Sequence, residues 1–121
     1  MNVAINEIKE IIFKVKMFFK LRKAHKELDD AIILADNMYK EHNRRFYVLP
    51  DMHHKLRVFS WSQLKQMRAQ GLFSGKVTEP DFIRESFYYT PSRIDKMFLK
   101  PETKDKKRKT WLEYYKAYRM E

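Results

Sequence analysis

The sequence predicts a mainly helical α+β domain: a long N-terminal helix, one β-hairpin at about 46–49 and 56–59, and three or four shorter helices after it. Three observations carry this reading. From Val3 to about Glu41 there is neither Gly nor Pro, and apolar residues recur at helical spacing. Two β-favouring runs, FYVLP and LRVF, flank a polar loop, DMHHK. Directly after them, Ser60 to Leu72 carries both the start and the stop signals of a helix. At 121 residues the chain is one domain with room for a modest core, and its two glycines and four prolines suit helix.

The long helix carries two apolar series. Ile5, Ile8, Ile12, Val15 and Phe19 step by three and four, and so do Leu21, Ala24, Leu28, Ala31, Ala35 and Met38. The series are offset where they meet. The helix therefore bends or breaks near Lys20, or its two halves face different partners. The alanines of the second half let it sit close on the hairpin. The first half sets Ile11, Ile12, Phe13, Val15, Met17, Phe18 and Phe19 around most of the circumference, more than a surface helix of a monomer normally shows. The expected division is a projecting apolar and basic helix over 1–20, a compact core with the hairpin over 21–99, and a basic segment with a C-terminal helix over 100–121.

In the hairpin, Leu56 and Val58 share one face and Arg57 and Phe59 the other; a two-stranded ribbon is marginal alone, so helices must cover it. Ser60 is the N-cap of the next helix, Gln63 closes a capping box, and Phe59 and Leu64 form a staple. Gly71 suits the left-handed position after the helix, with Leu72 folding back on Met67. A second start signal follows: Thr78 caps, Asp81 answers it, Pro80 sits in the first turn, and Val77 meets Phe82. That helix is expected to run to Phe87 or Tyr88. Ser92 would cap a short piece through Arg93, Ile94, Met97 and Phe98, stopped by Pro101. A last helix is expected over Thr110 to Met120, with Trp111, Tyr114, Tyr115 and Tyr118 on one side.

Chemistry is sparse. There is no cysteine, which excludes disulfides and thiolate metal sites. His25, His42, His53 and His54 form no metal-ligand pattern, and His53 and His54 read as part of a solvated loop. Gly71 and Gly75 stand alone, so no phosphate-cradling loop exists, and there is no nucleophile elbow. The expectation is a non-enzymatic protein without metal or cofactor. Glu7, Glu10 and the lysines of the first helix forbid a membrane span, and an h-region broken by charge argues against a signal peptide.

Binding features are stronger. Lys and Arg number 26 against 16 Asp and Glu, a net charge of +10, which favours an acidic partner. Lys14, Lys16, Lys20, Arg22, Lys23 and Lys26 form one basic block, Arg44 and Arg45 a second, and Lys104, Lys106, Lys107, Arg108 and Lys109 a third. These are the candidate contacts to nucleic acid or an acidic protein. A helix-turn-helix reading of Ser60–Gln70 and Glu79–Phe87 is a minor alternative, disfavoured by the acidic start of its second helix and by a linker long for the motif. The candidate protein interface is Ile8, Ile12, Phe13, Phe18 and Phe19, joined by Trp111, Tyr115 and Tyr118 of the final helix.

The pattern RRFYVLPD, KLRVFSWSQLKQMRAQGLF and TEPDFIRESFYYTPS, within roughly Leu28 to Ser92, resembles small uncharacterised proteins of tailed phages infecting gut Bacteroidales, the crAss-like phages. The resemblance implies a phage setting, located in the virion or the host cytoplasm, and no functional residue carries over with it. The expected function is a structural interaction protein, a minor virion component docking on neighbouring subunits in a homo- or hetero-assembly. The alternatives are a non-specific nucleic-acid-binding accessory protein and, less favoured, a membrane-surface protein held by Lys14, Phe18, Phe19 and Lys20.

Overall fold

The computed structural model describes residues 2–120, with side chains from residue 6 onward. Its elements, in order, are α1 (Asn2–His42), β1 (Phe46–Pro50), β2 (Leu56–Ser60), α2 (Trp61–Ala69), α3 (Glu79–Glu85), β3 (Tyr88–Tyr89) and α4 (Pro101–Tyr118). The fold is α+β and mainly helical. Three antiparallel strands in the order β2-β1-β3 form a sheet with helices on both faces.

The central strand explains the packing. Successive side chains of a strand point to opposite faces, so FYVLP feeds two cores at once. Phe46 and Val48 join Tyr88, Leu56 and Val58 against α1 and α4, while Tyr47 and Leu49 join Phe59 and Tyr89 against α2 and α3. From α1 the first core takes Ala24, Leu28, Ala31, Ile32 and Ala35, and the small alanines bring the helix down on the sheet as expected. From α4 it takes Trp111 and Tyr115.

Ends and turns follow local chemistry. Asn43, with φ 52°, ends α1 in the left-handed conformation, its N–H bonded to Tyr39 O at 2.7 Å. Ser60 and Gln63 form the reciprocal capping box on α2. At the other end Gly71 has φ +83°, Gly71 N–H bonds Arg68 O, and Leu72 N–H bonds Met67 O, which is the Schellman pairing. The Asp81 carboxylate accepts both the Thr78 N–H and its hydroxyl.

The first helix is uninterrupted through Lys20, so of the two readings of the offset the second holds: its two halves have different surroundings. Its first series counted Ile5, which lies outside the described side chains. Several other expectations need correction. The helix at 79 stops at Glu85, because the free edge of β1 recruits the aromatic run that follows: Phe87 N–H bonds Val48 O and Thr90 N–H bonds Phe46 O. No helix forms over 92–98. Ser92 and Asp95 instead close a turn on each other, and Ile94 and Met97 stay exposed. Pro101 starts the last helix at its first position instead of stopping one, so Lys104–Lys109 is helical.

Candidate interaction site

The basic and apolar candidates separate sharply once placed. Trp111 and Tyr115 are 0% and 6% exposed. Trp111 Nε1 donates to Ala24 O at 2.8 Å, and the ring packs edge-on against Phe87, so both residues hold α4 to the body and neither faces a partner. The reason is that α4 is needed to cover the first core. Tyr118 is exposed, but its ring stacks on His54 at 4.7 Å. His54 is correspondingly packed rather than solvated, with Nδ1 2.6 Å from Tyr114 Oη, while His53 is exposed as expected.

The arm differs in every respect. Ile8, Ile12, Phe13, Phe18 and Phe19 are all about half exposed or more, from 48% at Ile12 to 61% at Phe13, and Ile11 and Val15 are exposed with them. Burial on α1 starts at Ala24, so the preceding residues extend from the body; at 1.5 Å per residue they reach about 30 Å. At about 100° per residue, Ile8, Ile11, Ile12, Val15, Phe18 and Phe19 fall in one stripe about 120° wide. The stripe lies roughly opposite the face that Ala24, Leu28, Ala31 and Ala35 bury. Phe13 belongs to the other side, in line with half-buried Met17 and Leu21. Sequence reasoning set Val15 in the three-four series and Ile11 among the apolar groups of this half, but left both out of the candidate interface, where their exposure places them.

The basic candidates are likewise divided. Lys107 is tied down: Nζ donates to Ile83 O at 2.8 Å, Ser86 O at 2.6 Å and Arg84 O at 3.3 Å, closing the C-terminal end of α3. Burial lowers its pKa. Arg108 donates to the Asp29 carboxylate and to His25 Nδ1, joining α4 to α1. Arg45 donates to Thr90 O at 2.9 Å and lies over the Tyr89 ring. These three are structural, because each supplies hydrogen bonds that neighbouring elements lack. Arg44 is exposed and lies over Phe46. Lys14, Lys16, Arg22, Lys23, Lys106 and Lys109 are exposed, and Lys20 is half-buried. Arg22, Lys23 and Lys26 line a groove with Phe19 and His25 at the junction of arm and body.

One further concavity lies between the sheet and α2–α3, where Leu49, Phe59, Leu64, Met67, Phe73 and Phe82 line a cavity of about 250 Å³. Its two carboxylates, Asp81 and Glu85, both pair with Arg84. Beneath it the Tyr47 hydroxyl donates to Glu79 at 2.5 Å, and burial, aided by that carboxylate, raises the Tyr47 pKa. Among the described residues no three His, Asp or Glu converge as a metal site requires, and no helix is long and apolar enough to cross a membrane. Compared with known protein families, curated proteins and solved structures, the chain matches none.

Proposed function

We propose that this protein is a non-enzymatic interaction module whose N-terminal arm docks on another protein subunit. The observation that carries the reading is the exposed stripe Ile8, Ile11, Ile12, Val15, Phe18 and Phe19 on a helix that extends past its own core. Half of residues 6–19, seven of fourteen, are β-branched or aromatic, poor formers of an unsupported helix. Such a helix draws its stability from burial of its apolar face. The phage resemblance supports placing the module in a virion, as a minor component seated against neighbouring subunits.

The test is a pair of substitutions in the full chain. Phe18→Asp with Phe19→Asp should leave urea unfolding of the body, measured at a dilution where both chains are monomeric, within about 0.5 kcal/mol of wild type, as surface changes do. Trp111→Ala should cost about 3–5 kcal/mol, the usual penalty for emptying an aromatic site in a core. A loss for the arm variant comparable to that of Trp111→Ala would make the arm part of the core and end the docking reading.

A second reading, binding to nucleic acid, rests on the groove where Arg22, Lys23 and Lys26 border Phe19.

A further inference from the structure

We infer that the partner of the arm is the same arm of a second copy, paired antiparallel. This rests on the docking reading above and adds the occupant. The apolar residues recur in the three-four spacing that lets one helix lie along another: Ile8, Ile12, Val15 and Phe19 form one seam, with Ile11 and Phe18 widening it on one flank. A seam of that kind fits a matching helix rather than a pocket, and among the described residues the arm is the helix that exposes such a stripe.

The area agrees. The six side chains expose on the order of 700 Å² of apolar surface, above the largest patch on a typical monomer and close to the roughly 800 Å² that each partner buries in a stable interface. The stripe also faces away from the body, so the folded domain does not obstruct a second helix laid against it.

The dipoles and the apolar flank choose the orientation. A parallel pair would align two helix dipoles and set the basic residues Lys14, Lys16, Arg22 and Lys23 of both copies at one end. The antiparallel pair opposes the dipoles and brings Ile11 of each copy beside Phe18 of the other. In that register Ile8 of each copy meets Phe19 of the other, and Ile12 meets Val15. Ile11 and Phe18 close one flank, and on the other Lys9 of each copy lies beside Lys16 of its partner, a like-charge contact at the solvent edge. The arm is still net basic, so pairing tightens as salt screens the two copies from each other. Docking on nucleic acid or an anionic lipid surface would weaken with salt instead.

Sedimentation equilibrium of the full chain at low and high salt tests this. The expected result is a monomer–dimer equilibrium that shifts toward dimer at high salt. Ile12→Asp should weaken it by at least about a hundredfold, since the new carboxylate would be buried in the seam. The chain has no cysteine, so Ile8→Cys and Phe19→Cys variants can be mixed and oxidised without interference. The mixed disulfide dimer should exceed either homodimer. A monomeric wild-type chain at both salts, a mass other than twice the monomer, or an excess of the Ile8→Cys homodimer overturns the inference. The docking reading would survive those results and falls only if the arm substitutions destabilise the body.

Discussion

Lys107 shows how little a residue's type says about its task. Its neighbours Lys106 and Lys109 are exposed, but Lys107 reaches under α3 and spends its ammonium donors on the carbonyls of Ile83, Arg84 and Ser86. Those carbonyls end a helix of seven residues and have no further turn to bond to. Lys107→Met keeps much of the side-chain length and removes the donors. It should cost about 1 kcal/mol in chemical unfolding, as losing hydrogen bonds to part-buried acceptors does. Lys106→Met, one residue away, should stay within about 0.5 kcal/mol. Equal effects of the two would mean that the carbonyls find water without penalty. The run Lys104–Lys109 reads as one basic cluster in the sequence, and only the position of α3 distinguishes its members.

At the scale of elements, the hairpin is held by its loop as well as by its strands. Asp51 accepts the His53 N–H at 2.8 Å, the Lys55 N–H at 3.1 Å and Arg57 Nε at 2.8 Å, while His54 takes the left-handed conformation, φ 63°, that closes the turn. The Arg57 guanidinium beside it, with the two backbone donors, lowers the Asp51 pKa from 3.8 to about 2. Its folded value lies below its unfolded one, so the carboxylate's contribution is complete above about pH 4 and disappears as pH falls toward 2. The protection of the His53 and Lys55 amides, taken relative to their intrinsic exchange rates at each pH, should therefore fall over that window, and Asp51→Asn should remove that fall. Protection that is constant between pH 4 and 2 in the wild type would show that the loop does not depend on this charge. Elements whose signals are local were legible beforehand: the Ser60–Gln63 box, the Gly71 ending and the two runs of the hairpin all act within a few residues. Elements made by distant pairing were not. β3 exists because β1 offers it an edge some forty residues earlier in the chain, and Ser92 closes a turn with Asp95 where a helix was expected.

Taken as a whole, the molecule separates a body closed on both faces of its sheet from an arm that is closed on neither side. Its charge of +10 is divided in the same way, with part spent on internal bonds by Arg45, Lys107 and Arg108 and part left on the surface. A labelled generic duplex, followed by fluorescence anisotropy across a salt series, measures what the surface part does. If Arg22, Lys23 and Lys26 meet phosphates, affinity should fall steeply with salt, and replacing the three by Ala should lower the slope by about three. An unchanged slope removes that groove as the footprint. The sequence by itself determined the α+β class, the hairpin, the caps and the excess of apolar groups near the N-terminus, because periodicity and capping are properties of neighbouring residues. Only the tertiary structure decided which aromatic groups are spent and which remain. Trp111, Tyr115 and Phe18 look alike as apolar residues on helices, and their burial depends on whether another element crosses them: α4 lies across α1 at Ala24, and among the described residues no element covers Phe18.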